Sequence, residues 1–325
     1  MALNGRGGAD KPKVAVLCGG VGAARILRGL VQLLPHERLT AIVNVGDDFT
    51  LHGLHISPDI DTIVYTLADQ VSVERGWGLT DETWKAMETL DRYGGQSWFS
   101  LGDRDLGTHL FRTQRLREGA DLTKVTDEIA QAWGLPLAVL PATCDELRTI
   151  IATDQYGDLS FQEYFVRHRH EVTARSVRFD GQKSARPEPK AVAALEDADL
   201  ILIAPSNPVV SIDPILAIPG YAELLERRRS DVCAISPIVA GKAIKGPAAR
   251  LLVEMDGAAS AVGVAKWYQR YCSTLVVDTA DATSAQAISD LGVSPVVCNT
   301  IMADLVSARA LAASTLATWS GPTSP

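Results

Sequence analysis

The chain has 325 residues, of which 46% are hydrophobic and 22% charged, so it is long enough for one large or two modest globular domains and too apolar for disorder along most of its length. The formal net charge of −8 argues against duplex nucleic acid as a partner, although backbone amides and a divalent metal still hold anions locally. Five cysteines lie far apart with no Cys-x-x-Cys pair, which excludes a readable disulfide framework or zinc cluster and leaves each as a small apolar residue.

In chain order, Met1–Lys13 is a Gly-rich polar tail without a signal-peptide layout. No apolar run reaches the ~20 residues of a membrane helix, so neither a membrane nor export is expected, and a cytoplasmic protein follows. Val14–Cys18 is a continuously apolar strand suited to a parallel sheet buried on both faces. It runs into Gly19-Gly20-Val21-Gly22 and then an amphipathic helix, about Ala23–Leu34, stopped by Pro35. A second strand covers Leu39–Val45, completing a βαβ unit. Ser57-Pro58-Asp59 is a helix start, with Ser at the N-cap, Pro at N1 and an acid in the first turn. Further helices are expected near Asp81–Leu90, Leu106–Glu118 and Leu122–Trp133, so 58–134 reads as a helix-rich insertion over the sheet. Strands follow at Leu137–Leu140, Arg148–Thr153, Leu200–Ala204, Val232–Ile235, Leu275–Val277 and Pro295–Cys298, with 179–190 as a loop. The pattern predicts a doubly wound, Rossmann-like, mainly parallel α/β sheet. Its core would be 13–57 and 135–312, with flexible tails at 1–12 and 318–325.

Several loops at predicted strand exits carry chemistry. Gly20 and Gly22 allow close backbone approach at a helix N-terminus, the place for a phosphate, although a bare tight turn fits too. The phosphate-loop lysine is missing, and Arg25 stands where a dinucleotide fingerprint needs Gly or Ala. Asp47 and Asp48 follow the second strand; neighbouring side chains diverge in extended chain, so one of them faces a site, unless both belong to a solvated turn. Asp59 and Asp61 lie about 200° apart on a helix, so Asp59 reads as a partner of the helix dipole and Asp61 is left free. Leu101-Gly102-Asp103-Arg104-Asp105, followed by His109 and Arg112, is either a salt-bridged helix start or an anion site. Ala204-Pro205-Ser206-Asn207-Pro208 and Ser236-Pro237-Ile238 close two more strands, with Lys242 and Lys245 beyond. Such loops converge on one crevice in sheets of this class. Arg227–Arg229 and Arg167–His170 read as solvated charge.

Together Gly-Gly-Val-Gly, Asn-x-Gly-Asp-Asp, Ser-Pro-Asp-Ile-Asp-Thr, Gly76-Trp77-Gly78, Leu-Gly-Asp-Arg-Asp with Thr108-His109-Leu110, Ala-Pro-Ser-Asn-Pro-Val-Val-Ser and Ser-Pro-Ile resemble the 2-phospho-L-lactate transferase family of coenzyme F420 biosynthesis. The likeness runs from about Lys13 to Gly263 and is nearest to the bacterial phosphoenolpyruvate transferases. It implies a Mg²⁺-dependent enzyme that moves a phosphoenolpyruvyl, phospholactyl or phosphoglyceryl group from a guanosine-diphosphate donor to the ribityl hydroxyl of the deazaflavin Fo, releasing GMP. It further implies Asp47 and Asp61 as metal ligands, Asp48 behind them, and Asp61 as a candidate base. Arg104, His109 and Asp61 would lie by Fo, and Gly20, Gly22, Ser206, Asn207, Lys242 and Lys245 by the donor. A homodimer is also implied. Asp213, where the family usually has Gly, would put a negative charge near the diphosphate. Two rivals are a non-enzymatic nucleotide-sugar-binding regulator of the same fold, which should ignore the fluorescent deazaflavin, and an NAD(P)-dependent oxidoreductase, which absence of affinity for NAD(P)H would remove.

Overall fold

A computed structural model describes residues 11–72, 75–135, 137–244, 246–256 and 258–319. Lys245 and most of the two expected tails lie outside the described residues. Seven strands build the central sheet: β1 (Val14–Cys18), β2 (Leu39–Val43), β3 (Ala138–Pro141), β4 (Leu200–Ile203), β5 (Val232–Ile235), β6 (Thr274–Asp278) and β7 (Ser294–Cys298). Their order is β3-β2-β1-β4-β5-β6-β7, and every pairing is parallel. This is the doubly wound arrangement expected from the sequence. Each residue of β1, β4 and β5 is buried, which is why these strands read as unbroken apolar runs. The chain reverses its winding between β1 and β4, which pair in register from Val14↔Leu200 to Leu17↔Ile203. At such a switch point the loops leaving the two strands part and open a crevice.

Helix α1 (Val21–Leu30) follows β1, buries Ala23, Ile26, Leu27 and Leu30, and packs against the helix Leu305–Leu316. It begins two residues earlier than the apolar spacing suggests, because the turn after β1 is only Gly19-Gly20. Helix α2 (Pro58–Leu67) packs on α1, so it covers the sheet rather than standing off it. Ser57 is at its N-cap, but the hydroxyl is not spent on capping; it donates to Asp48 Oδ2 at 2.7 Å.

Ahead of α2 a hairpin, Phe49–Leu51 and Leu54–Ile56, turns through His52 and Gly53, both with positive φ, as a two-residue hairpin turn requires. The hairpin, α3 (Lys85–Arg92) and the segment before α4 (Asp103–Arg117) share a small apolar cluster of Leu51, Ile56, Met87 and Leu101. The starts of α3 and α4 cap each other. Asp103 accepts from the Lys85 and Ala86 amides at 3.1 Å each, while Glu82 accepts from the Arg104 and Asp105 amides at 2.8 and 2.9 Å. Asp103 thus caps α3 and not the helix it begins. Helix α5 (Leu122–Ala132) packs on β3.

Arg148–Thr153 is a strand, as expected, but it belongs to a separate antiparallel sheet with Gly157–Ser160 and Ala174–Asp180. The polar stretch 179–190 is therefore shorter than a loop of that span: its start completes the last of these strands, and a helix begins at Pro189. Arg167–His170 follows a single π-helical turn, Glu163–Arg167, with Arg169 and His170 in left-handed backbone. Cys18, Cys233 and Cys272 are buried, whereas Cys144 is exposed. Among the described residues no single helix is long and apolar enough to cross a membrane.

Candidate active site

A cavity of about 660 Å³ opens at the carboxyl edge of the sheet, over the switch point. The β1 exit supplies Gly20, Val21, Gly22 and Arg25; the β4 exit supplies Pro205, Ser206, Asn207, Val210 and Ser211. The glycines let these two loops touch. A Cβ on Gly22 would run into the Pro205 carbonyl, and one on Gly20 would lie 2.6 Å from Asp59 Oδ1. The start of α1 carries neither an acid in its first turn nor a side-chain cap among the described residues. Its free amides make a site for an anion. Asn207 fixes its own loop by accepting from the Val209 amide at 3.0 Å, and its buried Nδ2 has no partner among the described residues. Ser206 Oγ accepts from the Gly19 amide at 3.1 Å, tying the two loops together. Arg25, which spoils the dinucleotide fingerprint, lines the cavity while donating to the Met302 carbonyl at 3.2 Å.

Asp47 and Asp48 part company, but not through strand alternation: the chain turns at Gly46-Asp47, closed by the Asp48 amide donating to the Val45 carbonyl at 3.1 Å. Asp47 lines the cavity; Asp48 turns away and accepts from Ser57 Oγ and from His55 Nε2, the latter at 3.0 Å. Asp47 is buried and its Oδ1 has no partner among the described residues. Burial first, then the charge of Asp59, pushes its carboxyl well above the usual range. Asp59 also lines the cavity, which its assignment to the helix dipole did not anticipate. Its Oδ2 accepts from Asn44 Nδ2 at 3.0 Å, and burial with the nearby Asp48 charge raises it to about 7. Although Asp59 and Asp61 project from different sides of α2, the end of that helix lies at the cavity, so both reach it.

Asp61 is held quite differently. Arg112, fully buried on α4, grips both its oxygens: Nη2 donates to Oδ1, and Nη1 donates to Oδ2 at 3.1 Å. Arg112 Nη1 also lies 3.3 Å from His109 Nδ1. On the other side of the ring, His109 Nε2 lies 3.3 Å from Asp105 Oδ2. Asp105 accepts in addition from Tyr65 Oη at 2.7 Å. Burial raises Asp61 while Arg112 and His109 oppose the rise; for Asp105 burial is outweighed by His109 and Tyr65, and its carboxyl is lowered. One ligand atom each from Asp61, Asp105 and His109 lies within 4.8 Å of the others, a spacing that also suits a metal ion. Asp47 and Asp59, by contrast, are two hard-oxygen donors that form no ion pair among the described residues, and Asp47 keeps an idle buried oxygen. That set fits Mg²⁺.

The structure thus gathers Gly20, Gly22, Asp47, Asp61, His109, Ser206 and Asn207 at one cavity. Arg104 is not among its walls: it is exposed, and Nη1 donates to the Thr80 carbonyl at 2.5 Å. Lys242 is exposed on a short strand paired with Ile238–Val239 and also lies off the walls. Asp213 turns its carboxylate to Trp267 Nε1, at 3.0 and 3.2 Å, so the charge that threatened a diphosphate points away from the cavity. Aromatic lining that the sequence did not reveal comes from Trp77, Trp98, Phe99, Phe161 and Phe165. Gly76-Trp77-Gly78 was visible as a motif, but nothing in its spacing told which way the ring points.

Residues 14–313 match the family model described as 2-phospho-L-lactate transferase CofD. The chain is 44% identical over 287 residues to the phosphoenolpyruvate transferase of Mycobacterium tuberculosis, covering 82% of this chain and 86% of that one. It is 42% identical over 277 residues to the phosphoenolpyruvate transferase of Nocardia farcinica, covering 83% of each. A solved structure of a UPF0052-family protein from Bacillus halodurans superposes with a TM-score of 0.60 at 19% identity, covering 94% of this chain and 99% of that one, which speaks for the fold alone. By its sequence over almost all of the sheet and its loops, the chain belongs to the 2-phospho-L-lactate transferase CofD family of coenzyme F420 biosynthesis.

Proposed function

We propose that the protein transfers a phosphoenolpyruvyl group from a guanosine-diphosphate-linked donor to the terminal ribityl hydroxyl of the deazaflavin Fo, with GMP as the leaving group. The observation that carries this reading is one cavity in which an uncapped helix N-terminus, an unpaired buried carboxylate oxygen and aromatic side chains meet. Diphosphate, cation and planar ring need those three surfaces in that order. The choice of phosphoenolpyruvate over 2-phospholactate or 3-phosphoglycerate follows the names of the relatives.

The amides at the start of α1, with Gly20 and Gly22 leaving them accessible, take the donor's phosphates, and Asn207 Nδ2 and Arg25 add donors beside them. Asp47 and Asp61 are the residues the resemblance points to for Mg²⁺, and Asp59 joins them from its place beside Asp47. The bound ion supplies neutralisation of the diphosphate charge. Asp61 is the residue we assign to accept the proton of the attacking hydroxyl, with Arg112 and His109 fixing its orientation. The new bond forms from that hydroxyl oxygen to the phosphorus bearing the acid, and the bond from that phosphorus to the GMP oxygen breaks. Positioning and charge stabilisation carry most of such a transfer. Asp48, turned to Ser57 and His55, works at one remove by fixing the entry to α2.

The test is mass spectrometry of the deazaflavin product after incubation of Fo and Mg²⁺ with each candidate guanosine-diphosphate donor. A phosphoenolpyruvyl adduct with stoichiometric GMP is expected. A phospholactyl or phosphoglyceryl adduct formed faster would overturn the donor assignment, and no adduct with any donor would overturn the activity.

A further inference from the structure

The Gly76-Trp77-Gly78 motif has no part in the phosphate and cation chemistry, yet its indole stands at the cavity. Trp77 is 45% exposed, and neither it nor Trp84 belongs to the apolar clusters that hold the fold. The ring is nevertheless braced. The Arg75 guanidinium lies 5.8 Å from the Trp77 centroid and 5.3 Å from the Trp84 centroid, and the two indoles are 6.0 Å apart at 63°. Arg75 Nη2 donates to the Leu79 carbonyl at 2.7 Å, which locks the cation in place. Gly76 and Gly78 have φ of 72° and 67°, conformations that strain any residue with a Cβ, so the backbone is shaped to present the residue between them. The pairing of Val71 with Leu79 closes the loop behind it.

A large indole held by a cation, outside any core, facing a cavity, is a stacking surface. The other aromatic walls are less free. Phe161 and Phe165 stack on each other at 5.4 Å and 6°, and Trp98 is engaged by Phe49 and Phe99. Resting on the reading given above, we propose that Trp77 is the stacking platform for the conjugated ring of the deazaflavin acceptor, and that Arg75 and Trp84 are positioning residues that hold the platform in register. An electron-rich indole held in place by a neighbouring guanidinium suits an electron-poor tricyclic ring.

The experiment is a fluorescence titration of the full-length protein with Fo, alongside a titration with GDP. Wild-type protein is expected to bind Fo and to quench its emission through the stacked indole. Trp77→Ala should weaken Fo binding about ten- to a hundredfold, the range for loss of one base-sized stack, and leave GDP binding unchanged. Trp77→Phe should keep most of the affinity but relieve much of the quenching. Arg75→Lys and Trp84→Ala should raise KM for Fo several-fold with kcat little changed. GDP binding shows that each variant is folded. Wild-type affinity and quenching in both Trp77 variants would overturn the platform while leaving the transferase reading intact. Failure of the wild-type protein to bind Fo would overturn the transferase reading itself.

Discussion

Replacing Arg112 by methionine removes a cation that is fully buried and keeps a side chain of similar length. Arg112 contacts both oxygens of Asp61 and lies 3.3 Å from His109 Nδ1. Once it is gone, Asp61 is a carboxylate inside the protein with no counter-ion. Removing one partner of a buried pair costs about 3–5 kcal/mol, a large part of the roughly 5–15 kcal/mol that holds a domain together. The size of the loss depends on pH. Burial already lifts Asp61 above its ordinary value, against the pull of Arg112, so the native state holds this proton more firmly than the unfolded chain does. Between the unfolded and folded values, stability therefore falls as pH rises. Without Arg112 the folded value climbs further. Arg112→Met should therefore lose more stability at pH 8 than at pH 5.5. Urea denaturation followed by tryptophan fluorescence at both pH values measures it. The double variant Arg112→Met with Asp61→Leu should recover most of the loss, because the stranded charge leaves with the second change. If Arg112→Met stays within about 1 kcal/mol of wild type at pH 8, the pair is not the structural anchor described above.

Asp213 is raised to about 7 by burial, so the carboxylate form is disfavoured in the fold and stability falls as pH climbs from 4 through 7. Asp213→Asn keeps an acceptor for Trp267 and should flatten that slope, raising the melting temperature at pH 8 and leaving it unchanged at pH 4. Asp47→Asn and Asp59→Asn should each remove the repulsion between two buried carboxylates, raising the melting temperature without Mg²⁺ while abolishing the further rise that added Mg²⁺ produces in the wild type. An undiminished Mg²⁺-dependent rise in both variants would remove these residues from the cation site. Gly22→Ala should drive a methyl into the Pro205 carbonyl and lose about 1–3 kcal/mol of stability; GDP affinity by calorimetry should fall with it.

The parallel sheet was legible because its strands are buried on both faces, and a buried parallel strand has to be apolar at every position: Val14–Cys18, Leu200–Ile203 and Val232–Ile235 announce themselves. Helix starts were legible where local chemistry sets them, as at Pro58. The polar loops at strand exits marked the cavity, since a doubly wound sheet sends them all to one edge. What the local pattern withheld was direction. Helical spacing separates Asp59 from Asp61, yet both reach the cavity because the end of α2 abuts it. Arg104 and Arg112 are both arginines on one helix, and only packing decides that Arg112 is buried against Asp61 while Arg104 bonds the Thr80 carbonyl at the surface. Asp103 caps α3 from 18 residues further along the chain, Glu82 caps α4 from 22 residues before it, and Asp213 finds Trp267 across 54. Contacts of that range depend on where two elements dock, and docking is settled by the burial of the whole chain, not by any window of it.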